Sequence, residues 1–491
     1  MERKSGILMP VSALPSKYGI GSFGKWAYKF VDFLKASDQS YWQMLPLVMT
    51  GYCDSPYQTA CDVSGNPYFI DLETLRGKRL LTYREVESAI DKSEYIDYGK
   101  LYNERYALLR KAYSRFDKSD AAFRAFVKDG KYRDYSLFMA LAKKFGKPWY
   151  EWDAAYKLRD PAALDAFFEE EKEEVLFWQF LQFEFWSQYY ALKKYANQKG
   201  VKIIGDLPLY LAYDSVEVWS GKENFYLDEN LKPKKVAGVP PDYFSEDGQL
   251  WGNPVYDYGY MWSDGFKYWK KRLEHARQTY DVVRIDHFRG LDRFWVVDPN
   301  APNARNGEWW DAAGREIFKD FDTSCVIAED LGVLDDGVKS LISDLGLPGM
   351  KILEFAFGSD DSNAYLPWNV GENSVVYTGT HDNDTLVGYL KSLPKEQLEK
   401  EKILIKKSLD YLGIYKPLNG IYATAEAILH IAFACRAKLV VTPIQDFLFA
   451  GSELRVNNPG LVGCWRTRIK ESVFTDNLVK TVKRLTKRYK R

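Results

Sequence analysis

Eight short apolar segments recur along this chain of 491 residues, and most are followed by a loop rich in Gly, Pro or Asp and then by a helical pattern. The helical pattern is clear at 25–36 and 261–278, where apolar side chains share one face. Strands alternating with helices are typical of parallel βαβ units, and eight such units fit a closed barrel. The sequence therefore predicts an α/β fold, a (β/α)8 TIM barrel. Its eight predicted strands are 6–9, 41–45, 201–204, 282–285, 325–328, 350–353, 374–377 and 438–441.

Two stretches between the predicted strands are too long to be simple loops. Residues from about 80 to 199 are mostly helical in pattern, so we expect an inserted helical subdomain there. Residues 206–262 contain Gly, Pro, Asn, Asp and aromatic residues with little periodicity, and so long a loop in a compact fold usually has a function. We therefore expect one catalytic barrel over 1–491, with a helical insertion and a long loop region that covers the substrate.

Charge and cysteine content exclude several classes of protein. Lys+Arg and Asp+Glu both total 68, so the net charge of zero gives no electrostatic reason to expect a nucleic acid or a membrane as partner. The five cysteines are scattered without a C-x-x-C pair, which argues against a disulfide framework or a zinc site. No signal peptide, long apolar span or nucleotide-binding glycine motif is evident, so we expect a cytoplasmic protein without a cofactor.

Polar residues follow four of the predicted strands, and in a barrel the catalytic groups lie at the carboxyl ends of the strands. Two of the four histidines, His287 and His381, are beside them. We therefore expect carboxylates from four strands to meet at one rim. The residues are Asp206 after the third strand, Arg284 and Asp286 at the end of the fourth, Glu329 after the fifth, and His381, Asp382, Asn383 and Asp384 after the seventh.

A cluster of carboxylates beside an arginine suits the cleavage of glycosidic bonds. One carboxylate attacks the anomeric carbon, and a second, kept protonated by a raised pKa, protonates the leaving oxygen. In retaining enzymes the two lie about 5–5.5 Å apart, which neighbouring strands about 4.8 Å apart allow. Other interpretations are a helix N-cap for an Asp at a strand end, a structural ion pair for Arg284 and Asp286, and a metal site at 381–384.

Several motifs resemble the α-amylase superfamily and, more narrowly, the amylomaltase (disproportionating enzyme) family of 4-alpha-glucanotransferases. They are Val-Arg-Ile-Asp-His-Phe-Arg-Gly at 283–290, Ala-Glu-Asp-Leu-Gly at 328–332, His-Asp-Asn-Asp-Thr at 381–385, Gly-Val-Pro-Pro-Asp-Tyr-Phe at 238–244 and Gln-Leu-Trp-Gly-Asn-Pro at 249–254. Further matches run from Pro15 to Gly460, so the resemblance covers nearly the whole chain. The last two motifs separate this family from ordinary amylases.

The resemblance implies a role for each site residue. Asp286 would be the nucleophile, Glu329 the general acid/base, and Asp382 would stabilise the transition state. Arg284 would keep Asp286 ionised by lowering its pKa, and His381 would hydrogen-bond the sugar. The remaining expected glucan contacts are Asp206, Asp242, Tyr57, Trp251 and Asn457. For Trp251, which lies in the long polar region, anchoring of the loop is the alternative to stacking on a sugar.

The implied activity is that of a retaining glucanotransferase that needs no metal. It would move a segment of a maltooligosaccharide, starch or glycogen-type α-1,4-glucan to the 4-hydroxyl of another glucan or of glucose, through a covalent glycosyl-enzyme. The alternatives are a retaining α-glucan hydrolase, an inactive glucan-binding protein and a metal-dependent hydrolase. The chain departs from many relatives at Gly358-Ser359, at Cys464 and at 61–64, and we assign no sugar contact to Asp360 or Asp361.

Overall fold

The computed structural model describes residues 3–241, 245–332 and 334–491. These ranges contain twelve strands. In chain order they are β1 (Lys4–Leu8), β2 (Tyr41–Gln43), β3 (Lys202–Leu207), β4 (Val236–Val239), β5 (Gln249–Pro254), β6 (Val282–Ile285), β7 (Arg293–Val297), β8 (Gly307–Asp311), β9 (Val326–Ala328), β10 (Gly349–Ile352), β11 (Ser374–Tyr377) and β12 (Leu439–Pro443).

Eight parallel strands close into a barrel in the order β1, β2, β3, β6, β9, β10, β11 and β12, with β12 pairing back onto β1. Each of the eight predicted strands overlaps one of them, so the predicted TIM barrel is confirmed. Large apolar side chains from these strands, such as Ile204, Met350 and Tyr377, form a buried cluster of their own. Because side chains alternate along a strand, this cluster fills the interior while the other face packs against helices.

The helices surround the barrel and form its insertions. None in the described ranges combines the length and the apolar character that crossing a membrane would require. They are α1 (Lys25–Ala36), α2 (Leu72–Gly77), α3 (Tyr83–Ser88), α4 (Tyr98–Arg115), α5 (Ala121–Asp129), α6 (Arg133–Phe145), α7 (Ala154–Lys157), α8 (Pro161–Glu170), α9 (Lys172–Gln198), α10 (Val216–Ser220), α11 (Tyr258–Asp264), α12 (Lys267–Thr279), α13 (Gly314–Ile317), α14 (Asp336–Asp344), α15 (Leu386–Ser392), α16 (Lys395–Tyr411), α17 (Ile421–Ala434), α18 (Ile444–Phe447) and α19 (Asp476–Arg488).

Helices α3 to α9 lie between β2 and β3, in the stretch for which a helical pattern was expected. Asp97, Asp120 and Asp160 cap three of them by accepting a hydrogen bond from a backbone N–H of the first turn. The long helix α9 buries its aromatic side chains, Phe177, Phe180 and others, against its neighbours. The division into one catalytic barrel, a subdomain at about 80–199 and a covering loop at 206–262 stays a prediction.

A four-stranded sheet in the order β5-β4-β7-β8 lies outside the barrel, and all of its pairs are antiparallel. Strands β4 and β5 belong to the region 206–262, which also contains α10 and α11 and is therefore not a continuous loop. Strands β7 and β8 follow β6 directly and were not predicted. Trp251 lies on β5, and its ring contacts that of His287, which follows β6. The sheet therefore places Trp251 near the carboxyl end of β6.

Candidate active site

Strand register brings the predicted acidic residues to one end of the barrel. Asp206 on β3 pairs with Arg284 on β6. Ile285, the last residue of β6, pairs with Ala328, the last residue of β9, and Asp286 and Glu329 directly follow them. The backbone N–H of Glu329 also donates to the carbonyl of Ile285 at 3.0 Å. Neighbouring strands therefore present the two carboxyl groups side by side at the carboxyl rim, where barrel enzymes have their active sites.

Arg284 joins two of these carboxylates. One terminal nitrogen donates to Oδ2 of Asp206 at 2.5 Å, and the other donates to Oδ1 of Asp286 at 2.8 Å. The hydroxyl of Tyr57 donates to the same oxygen of Asp206 at 2.6 Å. Arg284 and Asp206 are both 3% exposed, so the guanidinium is held in a fixed orientation and in turn holds Asp286.

Glu329 is held by the backbone. Its Oε2 accepts from the N–H of His287 at 2.7 Å, and its Oε1 accepts from the N–H of Leu331 at 2.8 Å. His287 has a positive φ of 49°, which turns the chain after β6 into a short 3-10 helix and directs this N–H at Glu329. Two donors from two different segments fix the carboxyl group beside Asp286.

The pKa values of both carboxyl groups are raised. Burial is the main cause for Asp286, and the carboxylates of Asp206, Glu329 and Asp382 add to it, while Arg284 lowers the pKa. Burial also raises the pKa of Glu329, against the lowering by Arg284 and by its two backbone donors. Arg284 thus lowers the pKa of Asp286, as expected, but burial and the neighbouring carboxylates outweigh it, so the net direction is upward. One buried guanidinium cannot neutralise so many carboxylates, which favours retention of a proton by the Asp286–Glu329 pair.

Asp382 lies on the loop after β11 and is held by residues near the carboxyl terminus. Its Oδ1 accepts from Nδ2 of Asn457 at 2.6 Å, and its backbone carbonyl accepts from Arg455 at 2.6 Å. The N–H of Asn457 donates to the carbonyl of His381 at 3.0 Å. Asn457 therefore fixes the position of Asp382, and its predicted contact with the glucan stays a prediction.

His381 lies in a stack of rings. The ring of Tyr57 is parallel to it, with centroids 5.3 Å apart and an interplanar angle of 10°, and Trp465 packs on both rings. Burial lowers the pKa of His381, so the imidazole is neutral near pH 7 and can hydrogen-bond a sugar hydroxyl. Trp465 follows the departure from relatives at Cys464 and was not predicted as a site residue. Its positive φ of 66° and its contacts with two site residues emerge only in three dimensions.

Trp251 belongs to the same rim. Its ring meets that of His287 edge to face, with centroids 4.8 Å apart and an angle of 85°, and lies 6.0 Å from the ring of Tyr210. It is half-buried, so part of the ring packs on these neighbours and part is exposed. The remaining predicted contact, Asp242, lies outside the described residues.

The segment 381–384 was also considered as a metal site. Its carboxylates have protein partners: Asp382 binds Asn457, and Asp384 accepts from the hydroxyl of Ser452 at 2.6 Å. Within the described ranges, no group of three His, Cys, Asp or Glu side chains is arranged to hold a metal ion. The five cysteines are free thiols.

Comparisons with known proteins agree with this geometry. The family described as 4-alpha-glucanotransferase matches residues 9–474. The chain belongs to the 4-alpha-glucanotransferase family. The 4-alpha-glucanotransferase of Clostridium butyricum is 44% identical over 98% of this chain and 100% of the relative, and that of Thermus thermophilus is 40% identical over 96% and 95%.

Solved structures of amylomaltases agree as well. The amylomaltase from Streptococcus agalactiae in complex with acarbose superposes with a TM-score of 0.93 at 36% identity and covers 100% of both chains. The amylomaltase from Corynebacterium glutamicum, at 18% identity and a TM-score of 0.80, shows the shared fold. The predicted family is therefore confirmed, and the protein is an enzyme with 4-alpha-glucanotransferase activity.

Proposed function

We propose that the enzyme transfers α-1,4-glucan segments by double displacement, with Asp286 as nucleophile and Glu329 as general acid/base. The observation that supports this most is the placement of the two carboxyl groups one residue beyond the paired residues Ile285 and Ala328 of adjacent strands. This placement suits the separation of about 5–5.5 Å that retaining enzymes use. Arg284 bonds directly to Oδ1 of Asp286 and so favours the ionised form of this carboxyl group. The ionised form is the one that can attack the anomeric carbon.

In the first half of the reaction, Glu329 gives its proton to the glycosidic oxygen as the bond from that oxygen to the anomeric carbon breaks. An oxygen of Asp286 forms a bond to the anomeric carbon, and the reducing-end fragment leaves. Burial raises the pKa of both carboxyl groups, so the pair keeps a proton, and the direct bond from Arg284 to Asp286 favours that proton on Glu329. Asp382, beside the neutral His381, stabilises the positive charge that develops on the sugar ring.

In the second half, the Glu329 carboxylate takes the proton from the 4-hydroxyl of an acceptor. The acceptor oxygen attacks the anomeric carbon, and the carboxylate of Asp286 leaves, so the configuration is retained. Water at roughly 55 M competes with the acceptor, but a well-oriented acceptor reaches effective molarities of order 10⁵ M or more. We infer that the aromatic rim around Trp251 and Tyr57 holds the acceptor and excludes water.

The substrates that we propose are maltooligosaccharides and starch- or glycogen-type α-1,4-glucans, with glucose as the smallest acceptor. Support comes from the Streptococcus agalactiae amylomaltase, whose structure contains acarbose. The stacked rings of Tyr57, His381 and Trp465 offer an apolar wall beside the carboxylates, as recognition of sugar faces requires. The cytoplasmic location stays a prediction.

A glycosyl fluoride separates the two half-reactions, because fluoride leaves without protonation. In Glu329→Gln, maltosyl fluoride is expected to form the ester on Asp286, which then persists because no base activates the acceptor. Mass spectrometry of the intact protein and of its peptides detects the added maltosyl group. With maltotriose, which needs the acid, turnover of this variant is expected to fall by about 10²–10⁴-fold.

Asp286→Asn is the matched control, since it keeps the size of the side chain and removes the nucleophile. It is expected to form no adduct with maltosyl fluoride and to leave the free energy of unfolding near that of the wild type. An adduct on another residue would reject Asp286 as nucleophile. Wild-type turnover of maltotriose by Glu329→Gln would reject Glu329 as acid/base.

A further inference from the structure

The loop that presents His381 and Asp382 rests on buried acidic side chains. We call residues 378–386 the presenting loop. Glu354 follows β10 and lies in a 3-10 helix, Leu353–Phe355, while Asp446 lies on α18 after β12. The two are 6% and 2% exposed. The strands before them flank β11, so both carboxyl groups support the loop from the neighbouring strands.

Glu354 bonds to the presenting loop at two points. Its Oε2 accepts from Nδ2 of Asn383 at 3.1 Å, and its backbone N–H donates to the carbonyl of Thr378 at 3.2 Å. In the part of the chain that the structure describes, Oε1 has no hydrogen-bond partner. A Cβ at Gly379 would lie 2.9 Å from this oxygen, so the loop passes directly over the carboxyl group.

A continuous series of hydrogen bonds connects Glu354 to Asp382. Oδ1 of Asn383 accepts from both the N–H and the hydroxyl of Thr380, each at 2.9 Å. Oγ1 of Thr380 accepts from the backbone N–H of Asp382 at 3.2 Å. The side chain of Asn383 thus closes the turn on which Asp382 lies, and Glu354 orients that side chain.

Asp446 holds the two ends of the same loop. Its Oδ2 accepts from the hydroxyl of Thr378 at 2.6 Å, and its Oδ1 accepts from the N–H of Leu386 at 2.9 Å. Burial raises the pKa of Asp446 to about 6. Burial and the neighbouring Asp446 raise the pKa of Glu354 well above its usual range, with Asp384 adding to this and Arg455 opposing it.

We propose that Glu354 is a positioning residue for the transfer reaction, which acts through Asn383 and Thr380 to fix the carboxylate of Asp382. This inference rests on the proposed function, in which Asp382 stabilises the transition state. Glu354 itself is 6% exposed beneath Gly379 of the loop, so it acts through other residues. Its uncharged form suits this position, because a second negative charge under Asp382 would be poorly solvated and would repel Asp446 and Asp384.

Two substitutions separate the hydrogen bond from the charge. Glu354→Gln keeps an oxygen that accepts from Asn383 and cannot ionise, so kcat is expected to stay within about threefold of the wild type. Glu354→Leu removes the acceptor, and kcat is expected to fall by about 10–100-fold with little change in KM, since small displacements of a group that acts in the transition state reduce the rate that much.

Glu401→Leu is the matched control for the loss of a buried glutamate. Glu401, on α16, is 2% exposed and accepts from the hydroxyl of Tyr389 at 2.7 Å and from Gln397 at 3.1 Å. It is expected to lower the melting temperature about as much as Glu354→Leu and to leave kcat unchanged. Equal losses of kcat in the two leucine variants would overturn the proposal, because they would reflect destabilisation alone.

The pH profile adds a readout that a merely structural role would not change. As the pH rises, Glu354 of the wild type loses its proton and faces the carboxyl groups of Asp446 and Asp384 as well as the cation Arg455. Glutamine cannot ionise, so the alkaline limb of the kcat profile of Glu354→Gln is expected to lie at higher pH than that of the wild type. Superimposable alkaline limbs would overturn the role of the uncharged carboxyl group.

The double variant Asp382→Asn/Glu354→Leu and its two single variants distinguish a failure of the proposed function from a failure of the positioning role of Glu354. If Glu354 acts through Asp382, the double variant is expected to be no slower than Asp382→Asn alone, so the losses are not additive. Wild-type turnover by Asp382→Asn would reject the proposed function, and the role of Glu354 with it. An inactive Asp382→Asn together with wild-type kcat in Glu354→Leu would overturn the positioning role alone.

Discussion

Arg284 shows how a single side chain organises the reactive end of the barrel. Its two terminal nitrogens bond to Asp206 on the neighbouring strand and to Asp286 on its own strand. A planar guanidinium can span both acceptors at once, whereas a lysine ammonium is a single point of charge. The orientation of Asp286 therefore depends on the shape of the cation as well as on its charge.

Arg284→Lys is expected to lower kcat by about 100-fold and to reduce the free energy of unfolding by about 3 kcal/mol, because one buried carboxylate loses its partner. Steady-state kinetics and urea unfolding measure the two effects. Arg110→Lys is the matched control, since Arg110 makes a two-point contact with Glu174, at 2.9 and 2.7 Å, away from the site. Equal kcat values for the two variants would contradict the argument.

Residues that directly follow apolar strands are predictable as site candidates, and Asp286 and Glu329 are examples. Glu354 also follows a strand, but its surroundings in the chain, Leu-Glu-Phe-Ala-Phe, do not indicate whether its carboxyl group is exposed or lies under a loop. Trp465 contacts His381, although the two are far apart in sequence. Such contacts depend on the 3-10 turn after β10 and on the return of the C-terminal segment, which periodicity does not specify.

At the level of elements, the barrel strands were predictable because each is a buried apolar segment bounded by loop residues. The outer sheet was not. Its strands are short and contain polar residues, as in Gln249–Pro254, and β4 pairs with β7 across more than fifty residues of chain. Local pattern therefore predicted an aperiodic loop, where long-range backbone pairing forms a sheet that holds Trp251 at the rim.

Trp251→Ala is expected to raise the ratio of hydrolysis to transfer by about 3–10-fold, because a loosely held acceptor competes less well with water. Incubation with maltotriose and isotopically labelled glucose measures transfer as label in longer chains, and hydrolysis as the net gain of reducing ends, which transfer leaves unchanged. Trp262→Ala is the control, since Trp262 on α11 is 57% exposed. An unchanged ratio in Trp251→Ala would reject the acceptor role of this ring.

At the level of the whole molecule, the closure of the barrel depends on contact between the two ends of the chain. Strand β1 pairs with β12 from Lys4 to Leu8. The last helix, α19, packs on α1, which follows β1, and on α17, which precedes β12. We call the line along which β1 and β12 pair the seam. The hydroxyl oxygen of Thr486, on α19, accepts from Nε2 of Gln39 at 2.7 Å, and this bond stabilises the seam. The C-terminal helix therefore covers the line along which the barrel closes.

Val482, at 0% exposure, lies at the centre of the apolar face of α19. Val482→Asp is expected to reduce the free energy of unfolding by about 3–5 kcal/mol, since it places an unpaired carboxylate in the seam. Lys480→Asp, at an exposed position of the same helix, is the control and is expected to change it by less than about 0.5 kcal/mol. Urea unfolding followed by both tryptophan fluorescence and glucanotransferase activity measures the effect. Coincident transitions would show that the seam and the active site unfold together, whereas a wild-type midpoint in Val482→Asp would mean that α19 contributes little to barrel closure.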